Sequence, residues 1–143
     1  MRALLDVNVL IALLDSAHVH HALARNWFKA NIGQGGWASC PITQNGCVRI
    51  LSQPVYRGKV TPREAANLLR SATQSAQHAF WPDDASVLDE RSFDWRSLLA
   101  AHQITDVYLL ALAVKRKGRF VTFDRRVPLA AVAGAQAKHL LLI

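Results

Sequence analysis

The sequence predicts an α/β fold of three layers, with helices on both sides of a central, mostly parallel sheet of about five short strands. Two observations carry this. Short apolar runs at 2–5, 37–40, 79–81, 119–123 and 137–142 are separated by stretches of helical periodicity. Strands that alternate with helices are joined by right-handed crossovers into a parallel sheet. The runs also stay apolar at successive positions, as strands covered on both faces do. With 143 residues, 51% of them apolar and 19% charged, the chain reads as a single domain over 1–143. A domain of that size buries roughly two-thirds of the surface its unfolded chain exposes.

Each element has a local reason. From Leu4 to Leu14 the chain is apolar almost all round, and Asp6 divides it into a buried strand over 2–5 and a helix over about 7–15. Asp6 or Asn8 is placed to cap that helix. A second helix is expected from His18 to Ala30, ended near Gly33, Gly35 and Gly36. Trp37 to Cys40 form a strand with Pro41 at its exit, and Thr43 to Leu51 form a helix with Val48, Ile50 and Leu51 inward, stopped by Gln53 and Pro54. Thr61-Pro62-Arg63-Glu64 combines a cap, a proline at the first helical position and a glutamate that closes a capping box. That helix is expected to reach Ser75. Ala79 to Trp81 form a brief strand, and Pro82-Asp83-Asp84 a turn. A helix near 92–102 precedes a longer one over 105–117, which Gly118 ends. Strands over 119–123 and 137–142 complete the sheet.

The formal net charge of +7 attracts polyanions and speeds their encounter. Two cysteines, Cys40 and Cys47, lack the spacing of a zinc site or a redox pair, so free thiols in a reducing compartment are expected. Met1 to Leu5 has the flavour of a signal peptide, but Asp6, Asn8 and Asp15 interrupt it. No apolar run is long enough to span a bilayer. A cytoplasmic protein with no membrane partner is the expectation.

Three aspartates stand where a segment enters or leaves a buried element. Asp6 follows the first strand, Asp106 opens the helix that begins at Thr105, and Asp124 follows the strand that ends at Phe123. Ligand sites of open α/β sheets lie outside the carboxyl ends of the strands, so carboxylates remote in sequence meet there. They repel one another unless a cation sits among them, and oxygen-only ligation suits Mg²⁺ or Mn²⁺. Singly, each has a structural explanation as a helix cap, a helix-dipole partner or a turn residue.

The segments Leu5-Asp6-Val7-Asn8-Val9-Leu10, Thr43-Gln44-Asn45-Gly46-Cys47-Val48-Arg49, Thr105-Asp106-Val107-Tyr108-Leu109 and Val121-Thr122-Phe123-Asp124-Arg125 resemble the successive motifs of a PIN domain. The likeness is strongest to the VapC-type toxins of bacterial toxin–antitoxin pairs, and it spans nearly the whole chain. The resemblance implies a Mg²⁺- or Mn²⁺-dependent endoribonuclease that cleaves RNA, forms a homodimer and is silenced by a small antitoxin protein. Carried over by position, Asp6, Asp106 and Asp124 hold metal, while Asn8, Thr105 and Thr122 orient those carboxylates or water. Gln44 stands where many family members carry glutamate. It brings no negative charge, which predicts a weaker second metal or a single one.

Arg49, Arg125 and Arg126 lie nearest the expected site and are candidates for RNA backbone contacts. Lys115, Arg116, Lys117 and Arg119 crowd a helix end, where they complement its negative pole or, alternatively, form a phosphate track. His18, His20 and His21 are read as solvent-facing or packed on Trp27. Most of Trp27, Trp37, Trp81 and Trp95 are read as core, and Asp83, Asp84, Asp89 and Glu90 as a solvated acidic loop. Two other functions fit parts of the pattern: a catalytically weakened RNA- or protein-binding module on the same scaffold, for which Gln44 is the sign, and an aspartyl phosphatase. The phosphatase wants a second acid two residues after its nucleophile, where this chain has Asn8.

Overall fold

In the computed structural model, which describes residues 1–98 and 100–143, β1 (Ala3–Leu5), β2 (Trp37–Ser39), β3 (His78–Phe80), β4 (Arg119–Thr122) and β5 (Leu140–Leu142) form one sheet. Its order is β3-β2-β1-β4-β5, and every neighbouring pair is parallel. The chain fills the β2 and β3 side first and then crosses to β4 and β5. The order therefore reverses at β1, and the carboxyl ends of β1 and β4 flank the reversal point, where open α/β sheets bind ligands. Leu5 is in register with Val121, so whatever follows each residue emerges on the same rim.

Five α-helices accompany the sheet: α1 (Val7–Leu14), α2 (His21–Gly35), α3 (Pro41–Leu51), α4 (Pro62–Thr73) and α5 (Ile104–Lys115). Successive residues of a strand point to opposite faces, and β1 divides the core accordingly. Leu4 faces α5 with Phe120, Leu109 and Leu112. Ala3 and Leu5 face the opposite layer with Val9, Leu10, Leu51 and Leu69. In α5 every residue from Val107 to Ala113 is buried, and each large apolar side chain there contributes roughly 2 kcal/mol by leaving water. The capping box opening α4 forms as the sequence predicts: Glu64 N–H donates to Thr61 Oγ1 at 3.2 Å, and Thr61 N–H donates to Glu64 Oε2 at 2.7 Å.

Four local expectations are corrected. No helix spans 92–102; short 3₁₀ turns form at Trp95–Ser97 and Ala101–Gln103, and Leu99 lies outside the described residues. Asp94 Oδ1 accepts the Arg96 N–H at 3.1 Å, and Asp89 Oδ1 accepts the Arg91 N–H at 3.1 Å; these side-chain turns compete with a helical ladder. The second helix begins at His21, because His18 Nδ1 accepts the His20 N–H and Asp15 Oδ1 accepts the Ala17 N–H ahead of it. That helix passes Gly33 and stops at Gly36, whose φ of +69° favours glycine and whose hypothetical Cβ would lie 2.6 Å from the Gln77 carbonyl oxygen. Helix α3 starts at Pro41, earlier than Thr43, with Thr43 Oγ1 accepting the Cys40 N–H at 2.9 Å. The last strand starts only at Leu140, after a turn over Ala137–His139.

Candidate active site

The backbone of Asp6 extends the β1–β4 pairing by one residue, its N–H donating to the Val121 carbonyl at 3.0 Å. The side chain is thereby delivered to the sheet rim, 5% exposed. Thr122, fully buried at the end of β4, donates its hydroxyl to Asp6 Oδ2 at 2.6 Å. The same hydroxyl oxygen accepts the Asp124 N–H at 3.0 Å. One threonine thus ties the first aspartate to the backbone of the third. Asp106 arrives from the other layer, in the first turn of α5, half-buried and with no hydrogen-bond donor on its carboxylate among the described residues.

The three carboxylates feel one another. Burial raises the pKa of Asp6, against the opposing Thr122 hydrogen bond, and Asp124 adds repulsion. Asp106 is pushed up to about 6, first by burial, then by the negative charges of Asp6 and Asp124. Asp124 behaves oppositely. Arg126 donates its backbone N–H and Nε–H to Asp124 Oδ1 at 2.8 and 3.0 Å and its Nη2–H to Oδ2 at 2.8 Å, which holds Asp124 at about 2.

A groove of about 540 Å³ opens beside Asp6, lined also by Asn8, Asn45, Arg49, Asp83 and Thr105. Its wall depends on Gly46, where a Cβ would sit 2.7 Å from Val7 Cγ2; glycine lets α3 press against the start of α1. Arg49 is exposed and makes no ion pair among the described residues. Gln44 does not line this groove. Its Nε2 donates to Ser39 Oγ at 3.0 Å, and the residue borders a separate cleft between α3 and α4. A larger cleft of about 830 Å³ lies behind Asp83, between the 84–92 loop and α5, and holds none of the three aspartates.

The family follows from a wider comparison. The PIN domain family matches residues 3–135. The chain is 53% identical over 140 residues to Ribonuclease VapC44 of Mycobacterium tuberculosis, covering 98% of each chain. It is 44% identical to Ribonuclease VapC39 of the same organism, covering 94% of this chain and 96% of the other. This chain belongs to the PIN domain family. Solved structures share the fold at low identity. M. tuberculosis VapC20, described as a sarcin-ricin loop cleaving toxin, superposes with a TM-score of 0.61 at 13% identity, covering 92% of this chain and 96% of that one. VapBC2 from Rickettsia felis, bound to a promoter DNA fragment, gives 0.64 at 11%, covering 100% and 98%.

In this PIN domain the donor set fits a divalent cation in part. Asp6 and Asp106 are carboxylates whose charged forms are disfavoured by burial and mutual repulsion, the situation an ion relieves. Among the described residues, however, no three His, Cys, Asp or Glu side chains are grouped closely enough to hold one ion as they stand. Asp124 is engaged by Arg126.

Of the other residues read from sequence, Thr122 reaches Asp6 directly, Asn8 and Thr105 reach the groove, and Arg125 is exposed with no ion pair among the described residues. Asp83 is the residue the sequence reading missed. Its Oδ2 accepts the Ile42 N–H at 3.2 Å, at the start of α3, and its carboxylate lies beside the Cys40 thiol. The available signal was its place just past β3, on the rim that carries the aspartates. Asp84 is likewise more than a solvated charge, since Arg116 Nη2 donates to it at 2.7 Å and Lys115 also pairs with it. His20 is exposed, as the solvent-facing alternative expected, with its ring centroid 4.8 Å from that of Phe123, while His21 Nδ1 meets the Ala12 carbonyl at 2.7 Å. Trp37 and Trp81 are core, while Trp95 is 44% exposed.

Proposed function

We propose that the chain is a Mg²⁺- or Mn²⁺-dependent endoribonuclease acting as the toxin of a toxin–antitoxin pair, in the cytoplasm, with a small antitoxin as its protein partner and a homodimer as its working form. The observation that carries the reading is the pairing of Asp6 with Asp106 beside a groove that also presents Arg49. A groove carboxylate, Asp6, in electrostatic conflict with Asp106 beside it, and the Arg49 guanidinium on the same groove suit a phosphodiester with a cation. The ribonuclease names of the relatives support the substrate class, and the toxin–antitoxin complexes among the solved structures of the same fold support the partner.

Asp6 and Asp106 would hold the ion, which supplies Lewis acidity and an acidified water. The chain's own residues do the rest. Thr122 fixes the rotamer of Asp6 by hydrogen-bonding Oδ2. Arg49 attracts the phosphate backbone, a contribution that weakens as salt rises. Asn8 and Thr105 offer neutral hydrogen-bonding groups to the RNA strand or its water, at positions close to Asp6.

The test is purified protein incubated with total RNA in Mg²⁺, in Mn²⁺ and in chelator, with the cut ends mapped. Cleavage is expected in either metal and absent in chelator. Asp6→Asn and Asp106→Asn are expected to fold and to lose cleavage; turnover undiminished in both variants, or in chelator, overturns the reading.

A further inference from the structure

We propose that Arg126 is a built-in counter-cation of the acidic rim, holding Asp124 in the absence of metal and competing with the divalent ion for that carboxylate. The inference rests on the metal-dependent reading above and goes beyond it by giving this chain a residue that sets ion affinity.

The geometry is a closed fork. Both Asp124 oxygens are engaged by a residue two positions away, through one backbone and two guanidinium donors. Fork-on-carboxylate pairs of this kind are the strong charge-assisted ones. Arg126 thereby offsets the charge of one of the three aspartates. It approaches from solvent: the Arg126 side chain is 69% exposed, that of Asp124 only 23%. The guanidinium is therefore able to withdraw without disturbing the core, while the Asp124 backbone stays tied to Thr122. Among the described residues Arg125, beside it, makes no such pair.

The experiment is calorimetric titration of Mn²⁺ alone into the full chain at neutral pH, together with thermal melting in chelator. The proteins are the wild type, Arg126→Ala, Arg126→Gln and Arg126→Lys, with Asp6→Asn as the control for loss of the ion. Arg126→Ala is expected to melt lower than wild type in chelator and to bind Mn²⁺ about two- to fivefold tighter, the scale for one partner of a partly exposed pair. Arg126→Gln, which keeps amide donors and loses the charge, is expected to gain the same affinity and serves if the alanine variant misfolds. Arg126→Lys, which keeps the charge and loses the fork, is expected to fall between wild type and Arg126→Ala. Mn²⁺ affinity unchanged in Ala and Gln, while Asp6→Asn loses binding, overturns the role of Arg126 and leaves the metal reading intact. Absence of Mn²⁺ binding in wild type and in every variant overturns both. Binding that appears only in Ala and Gln supports the competition directly.

Discussion

Thr122 Oγ1 donates a 2.6 Å hydrogen bond to Asp6 Oδ2 while accepting the Asp124 N–H at 3.0 Å. A buried hydroxyl thus joins the ends of β1 and β4 and sets the orientation of the carboxylate nearest the groove. Thr122→Val keeps the shape and removes both bonds. The expected cost is about 1–3 kcal/mol, because a buried carboxylate loses its donor, with a further rise in the Asp6 pKa. Urea unfolding and ¹³C-detected titration of Asp6 measure the two effects; a variant as stable as wild type would show the hydroxyl to be dispensable.

Asp106 makes stability depend on pH in a defined sense. Its carboxyl is raised from 3.8 to about 6 in the fold, so between those values the folded chain binds more protons than the unfolded one. The linkage then makes stability fall as pH rises through that window. Asp106→Asn removes the term. In chelator it is expected to be more stable than wild type at pH 8 by about 1 kcal/mol, once solvent screening of this half-buried group is allowed for, with the difference vanishing near pH 4. Denaturant melts across pH 4–8 decide it, and a constant difference would refute it.

Gly46 and Val7 form a second relationship with a clear test. A Cβ at position 46 would lie 2.7 Å from Val7 Cγ2. Gly46→Ala is expected to destabilise by about 1–3 kcal/mol through overpacking. Adding Val7→Ala should recover part of that loss, a coupling that thermal melts of the two single variants and the double variant would reveal. Strict additivity would place the strain elsewhere.

Arg49 lines the groove and makes no ion pair among the described residues. Arg49→Ala is expected to weaken RNA binding and to reduce the slope of log affinity against log salt by about 0.7, the value for one phosphate contact on a single strand. Filter binding of a metal-free Asp6→Asn background across a salt series measures it. An unchanged slope would remove Arg49 from the backbone contacts.

Sequence alone determined the layered α/β class, the sheet of about five strands and the rim on which Asp6, Asp106 and Asp124 emerge. Those conclusions follow from local chemistry: apolar runs too short for helices, the capping box at Thr61, the ends of strands. The resemblance to PIN-domain motifs also drew attention to Thr122 and Asn8, and the fold sets the first in a hydrogen bond to Asp6 and the second on the groove beside it.

Tertiary structure decided the rest, because the deciding interactions join residues that no local pattern links. The side-chain direction of Gln44, toward Ser39 and away from the groove, depends on how α3 packs on the sheet. Asp83 joins the groove only because β3 lies beside β2. The 92–102 segment has helix-like composition, yet Asp89 and Asp94 capture their own backbone. Above all, the electrostatic conflict between Asp6 and Asp106 exists only once a strand end and a helix start are brought to one edge.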